Sequence, residues 1–225
     1  MKKAILLALA LCTLAFSYSY TAFCFTTGKN TLAINPYLYG FMIDDAFFGG
    51  GDLCASYGIT DRLDVFADAN YLYGAGAGAF GWWVMPRWDF GNTKILAVKA
   101  NNLMVAPQFH FIQEWEKFAV QANAAVQVTY DYAKEPAVYA VLCPLFKANA
   151  NFDIFCEVNP SYSMADGDLV MGWVRPKGFG LDVVPGVGLK AGSFLFSVAC
   201  PIYDVTGDPT PSIGAWGLYM VTFGK

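Results

Sequence analysis

Apolar and polar residues alternate along much of this chain, the period a strand shows when its two faces meet different surroundings. In Arg62 to Gly74, Leu63, Val65, Ala67, Ala69, Tyr71 and Tyr73 share one face. Asp64, Phe66, Asp68, Asn70 and Leu72 share the other. The pattern recurs at Phe118 to Tyr130, where an apolar row opposes Gln121, Asn123, Gln127, Thr129 and Asp131. Leu103, Val105, Phe109 and Phe111 oppose Gln108 and His110, while Leu181, Val183, Val187 and Leu189 oppose Asp182 and Lys190. A helical period fits none of these stretches.

Extending the pattern predicts twelve strands, near 31–42, 50–59, 63–74, 79–88, 93–99, 103–112, 117–131, 137–148, 152–163, 180–190, 193–203 and 211–223. Short connections at 60–62, 89–92, 113–116, 149–151 and 191–192 fall at one end of this array. Longer ones at 43–49, 74–78, 134–136, 164–179 and 204–210 fall at the other. Ten or fourteen strands stay open, because 93–99 is a weak strand and 168–175 could be an extra one. Pro36, Pro86, Pro107, Pro144, Pro160, Pro185 and Pro201 sit in or beside proposed strands, where proline cannot donate to a ladder, so bulges or strand ends are expected there.

Composition says where such strands could live. Of 225 residues, 56% are hydrophobic and only 14% are charged, against about a quarter charged in a soluble domain. The net charge of −4 offers nothing to nucleic acid. Lys2 and Lys3 precede an apolar run to Phe16, and Ala15-Phe16-Ser17 supplies small residues for cleavage. Residues 1–17 are therefore expected to be a signal peptide, 18–30 a periplasmic lead-in and 31–225 the folded body. No later apolar run reaches the roughly 20 residues of a membrane helix. The fold class expected is all-β: a closed antiparallel transmembrane β-barrel of about twelve strands, apolar side to lipid.

A weak internal repeat accompanies the pattern. Leu53–Tyr73 aligns without gaps on Leu142–Tyr162, with six identities, at Leu53, Cys54, Asp64, Phe66, Asn70 and Tyr73, and with Asp68 matched by Glu157. Similarity between any two barrel hairpins explains this as readily as duplication does.

The hairpin Tyr57-Gly58-Ile59-Thr60-Asp61-Arg62-Leu63-Asp64 is similar to one found in several small outer-membrane β-barrel families of Gram-negative bacteria, including the porin and transporter barrels grouped with phenol-degradation (MetA-pathway) proteins. Tyr219-x-Val221-x-Phe223 resembles the last strand that the barrel-assembly machinery recognises, although Gly224 and Lys225 follow the Phe. The resemblance implies a bacterial outer-membrane location, with the bilayer and that machinery as partners.

The polar faces then line a lumen. The residues assigned to it are Asp64, Asp68, Asn70, Arg87, Gln108, His110, Gln121, Asn123, Gln127, Asp131, Lys147, Asp153, Glu157, Asn159, Asp182 and Lys190, with Asp52 beside them. Acids outnumber bases, so an open lumen would pass small solutes with a mild cation preference. The alternative is a plugged structural or surface-binding barrel acting through its extracellular loops, since Phe66, Trp83 and Phe155 also point inward. No enzyme, cofactor or metal is expected. His110 is the only histidine, no G-x-S-x-G element occurs, and the mature cysteines form no C-x-x-C pair. Cys143 and Cys156 fall on opposite faces, so no disulfide is expected. Tyr71, Tyr73, Trp82, Trp88, Tyr130, Tyr162, Tyr219 and Phe223 lie near strand ends, where aromatic girdles form.

Overall fold

The computed structural model describes residues 26–43, 46–74, 77–91, 94–101, 104–129, 136–166, 168–170 and 173–224. The expected signal peptide, residues 18–25 of the lead-in, Tyr130 and Asp131 lie outside the described residues.

One antiparallel sheet closes on itself. Its strands are β1 (Leu32–Ile43), β2 (Ala46–Gly58), β3 (Leu63–Gly74), β4 (Ala77–Asp89), β5 (Lys94–Ala100), β6 (Met104–Glu114), β7 (Phe118–Thr129), β8 (Ala137–Asn149) and β9 (Phe152–Ser163). A small separate hairpin follows, β10 (Asp168–Val170) with β11 (Trp173–Arg175), and then β12 (Gly178–Ala191) resumes the main sheet. β13 (Phe194–Ala199) and β14 (Ile202–Tyr203) run in line as one stave, as do β15 (Thr210–Tyr219) and β16 (Val221–Phe223), giving a barrel of twelve staves. Closure is made by β1, which pairs with β2 on one side and with β15 and β16 on the other, Tyr37 opposite Leu218 and Leu32 opposite Phe223. The strand number left open by the sequence is thus twelve. Residues 168–170 and 173–175 are extended, but in a sheet apart from the barrel, so parity is undisturbed.

Turn chemistry accounts for the short connections. Thr60 Oγ1 accepts the amides of Arg62 and Leu63, Asp89 Oδ1 accepts that of Gly91, and Asn149 Oδ1 accepts that of Asn151. Gly91 and Gly192 take the positive φ these turns require.

Of the stretches 43–49 and 74–78, expected as loops, every described residue is strand. Glycine composition misleads because these glycines make room inside the ladder: a Cβ on Gly74 would lie 2.0 Å from the Phe48 ring, and one on Gly78 2.1 Å from the Tyr71 hydroxyl. Gly50, in the stretch expected as strand, is packed as closely. Gly50 pairs with Tyr39 and Leu72, and a Cβ on it would lie 2.2 Å from the Tyr71 carbonyl oxygen and 2.7 Å from the Tyr39 hydroxyl. Gly50→Val is expected to destabilise the barrel by about 1–3 kcal/mol through overpacking. Urea titration of the refolded chain measures this, and an unchanged midpoint would show that the Tyr39 ring yields freely.

The prolines follow one rule. At Pro86, Pro107 and Pro160 the pairing on one side skips, from Val84–Ala100 to Arg87–Ala97, from Val105–Val128 to Gln108–Ala125, and from Tyr139–Ser161 to Leu142–Val158. On the other side each of these prolines stays in register, opposite Val65, Val98 and Leu181. A residue in a sheet points its N–H toward one neighbour only, so a missing donor interrupts one ladder and spares the other. Pro201 marks the break between β13 and β14.

The outer surface is apolar, with Leu38 71% and Phe80 67% exposed. Tyr71, Tyr73, Trp82, Trp88, Tyr162, Tyr219 and Phe223 all lie on this surface. The inner side holds the buried groups described next.

Candidate functional site

Residues two apart on each stave point inward, so the interior is built in layers. Nearest the end where β1 begins and β16 finishes, the charges are paired. Arg87 on β4 sits directly opposite Asp64 on β3 and grips it with two hydrogen bonds, Nε to Oδ1 at 2.8 Å and Nη2 to Oδ2 at 2.6 Å. Lys190 Nζ lies 2.6 Å from Asp153 Oδ2, and Lys147 Nζ lies 2.9 Å from Glu114 Oε1. Asp64, Arg87 and Asp153 are fully buried; Lys147 and Lys190 are partly exposed at the rim.

One layer further in, acids meet amides. Asn70 Nδ2 donates to Asp68 Oδ1 at 2.6 Å, and Cys54 Sγ donates to Asp68 Oδ2 at 3.0 Å. Asp52 faces Asn70 across the β2–β3 ladder. Asn159 Nδ2 donates to Glu157 Oε1 at 2.6 Å, the same contact made by the second copy of the sequence repeat. In both pairs the amide nitrogen is spent on the acid, and its oxygen, Asn70 Oδ1 or Asn159 Oδ1, has no hydrogen-bond partner among the described residues. Gly81 leaves room for the first, since a Cβ there would lie 2.5 Å from Asn70 Oδ1. β3 and β9 stand third and ninth among twelve staves, half a circumference apart. Equivalent hydrogen bonding at equivalent residues favours duplication over chance likeness.

Aromatic rings occupy the same levels. Phe66 and Trp83 stack at 5.0 Å, and Phe155 meets Trp216 at 6.3 Å. Lys99 Nζ lies 4.6 Å above the Trp83 ring, within electrostatic reach of Asp52 and Asp68. A third wall is neutral and polar. Gln108 Nε2 donates to the Tyr139 hydroxyl at 3.0 Å, Asn123 Nδ2 donates to Gln108 Oε1 at 3.3 Å, and the same Nδ2 is 3.0 Å from His110 Nδ1. Gln121 and Gln127 are buried on that wall. Asp182 accepts the Asp204 amide at 2.8 Å toward the opposite end.

Of the residues assigned to the lumen from sequence, the structure gathers Asp64 with Arg87, Asp68 with Asn70, Glu157 with Asn159, Gln108 and His110 with Asn123, and Asp153 with Lys190. Gln121, Gln127 and Asp182 are buried outside these pairs, and Lys147 reaches Glu114 at the rim. Sequence reading missed Lys99 and the inward rings of Tyr37, Tyr39, Tyr139, Tyr203 and Trp216. The two faces of β1 are both apolar, Tyr37-Tyr39-Phe41 inside against Leu38 and Met42 outside, so alternation gives no phase there. Cys54 and Cys143 are buried inside, Cys156 and Cys200 lie on the outer side, and none of these four is joined to another by a disulfide.

A closed antiparallel barrel, apolar outside and polar within, defines the architecture of outer-membrane porins. No family model matches the chain and no curated protein matches it. Among solved structures it resembles the KdgM porin, with a TM-score of 0.57 at 8% identity over 83% of this chain and 98% of that one. It also resembles an outer-membrane channel from Pseudomonas putida, with a TM-score of 0.54 at 9% identity over 87% and 96%. The translocator domain of the autotransporter NalP from Neisseria meningitidis gives 0.52 at 8% identity over 94% and 98%. What is shared at these identities is the fold.

Proposed function

We propose that this protein is exported by its signal peptide to the bacterial outer membrane. There it passes small solutes with a mild preference for cations, through an interior held shut in the conformation described. The carrying observation is the charge inside. Among the described residues, Asp52, Asp64, Asp68, Asp153, Glu157 and Asp182 are buried in the interior, against the single buried base Arg87, with Lys99 half-buried over the Trp83 ring and Lys147 and Lys190 at the rim. In a low-dielectric wall an excess of one sign raises the local concentration of the opposite ion. The periplasm would lie at the end where β1 begins and β16 finishes, which also bears the short turns, as in bacterial barrels generally, and the last stave would be the element offered to the assembly machinery.

Conductance of the refolded mature chain in a planar bilayer tests the reading. Discrete current steps with a cation-selective reversal potential are expected, moving toward zero in Asp68→Asn combined with Glu157→Gln. Anion-selective steps would end it. The tight interior favours one other reading, a plugged scaffold working through its outer loops. Asp64 and Glu157 are 0% exposed and Arg87 is 1% exposed. A barrel that inserts yet stays silent at every voltage would establish that reading instead.

A further inference from the structure

Residues 26–31 precede the barrel sheet and could have run away from it. Instead they turn back across its terminal end. Gly28 has φ +86° and Asn30 has φ 57°, two left-handed positions that fold the chain inward just before β1. The Asn30 amide donates to the Gly58 carbonyl at 2.8 Å, and the Gly58 amide donates to the Thr31 carbonyl at 2.9 Å. Thr27 then reaches the buried charged pair at that end. Its backbone amide donates to Asp64 Oδ2 at 2.7 Å, its hydroxyl lies 2.9 Å from the same oxygen, and that hydroxyl also meets Ser56 Oγ. Asp64 Oδ2 therefore serves Arg87 from one side and this segment from the other.

The contact is fitted. A Cβ on Gly58 would lie 1.5 Å from the Gly28 carbonyl oxygen, so only glycine lets the segment lie where it does. We infer that residues 26–31 are a strap that closes the terminal end of the barrel interior, latched on the Asp64–Arg87 pair, and that its release admits water and solutes to the acidic layer above. This rests on the channel reading for its consequence, but the closure can be tested without current.

The test uses the full mature chain refolded in lipid. Gly58→Val should lift the strap by steric conflict with the Gly28 carbonyl. Thr27→Cys with Ser56→Cys should lock it, because those two side chains touch. Accessibility is read at Cys54, buried two residues from Ser56, as its labelling rate by a small charged thiol reagent, resolved by mass spectrometry. Gly58→Val is expected to raise that rate at least about tenfold, since hydrogen bonds to a charged group each hold roughly a decade or more of equilibrium constant. It should also speed tryptic cleavage after the exposed Lys29. The locked variant should label slowly at Cys54 until reduced.

Faster cleavage at Lys29 with unchanged labelling of Cys54 would overturn the proposal, because the strap would then move without guarding anything. Gly58→Val leaving both rates unchanged would overturn it too. Faster labelling together with increased open time in a bilayer would support both strap and channel. Faster labelling with no current in any variant would support the strap and end the channel reading.

Discussion

Arg87→Met is expected to destabilise the barrel by about 3–5 kcal/mol, the largest loss from any single polar residue in the interior. Arg87 is 1% exposed and Asp64 is 0% exposed, so no solvent can take over the lost partner. The change strands a buried carboxylate that loses two charge-assisted hydrogen bonds in one step. The cost belongs to the orphaned charge more than to the bond. Adding Asp64→Leu to Arg87→Met should therefore recover most of the loss, because a buried ion pair exchanged for apolar groups is often close to neutral. Urea unfolding of the refolded chain in lipid vesicles, followed by tryptophan fluorescence, gives both values. A double variant as unstable as the single one would mean that Asp64 matters chiefly for holding Thr27, and a mild single variant would mean that water reaches the pair.

Trp83→Ala should produce a second large effect, on stability and on passage together. The indole, carried by β4, is buried on the inner side, stacked on Phe66 at 5.0 Å and with the Lys99 ammonium over its face at 4.6 Å. Deleting a buried tryptophan side chain costs about 3–5 kcal/mol where the surroundings cannot collapse, and a closed sheet collapses poorly. The space left should hold water, since Asp68, directly opposite Trp83 in the ladder, would border it. A lower unfolding midpoint with a raised single-channel conductance is the expected pair of results. Lower stability with unchanged current would place the constriction at other rings, Phe155 and Trp216 first.

Much of this was legible in the chain because the barrel imposes a two-residue period wherever lipid and interior differ. The acid-Phe-acid-Asn row of β3 and its echo in β9 declared their inward side through Asp64, Asp68, Asp153 and Glu157. β1 and β5 did not, because Tyr37, Tyr39 and Phe41 inside are as apolar as Leu38 outside, and Ile95 and Ala97 are as apolar as Leu96 and Val98. Lys99 went unassigned for that reason. The stretches around Gly74 and Gly78 were unreadable as strand because those glycines make room for the Phe48 and Tyr71 side chains, contacts from another stave. Thr27 was invisible for a similar reason: its meaning comes from Asp64, thirty-seven residues later.

The placement of the two acid–amide rows on opposite walls has an electrical consequence. Coulomb repulsion falls as charges separate, so acids divided between β3 and β9, half a circumference apart, oppose each other less than the same acids set side by side in one row. Splitting the negative charge between facing walls lets one closed interior hold more of it than either wall could hold alone.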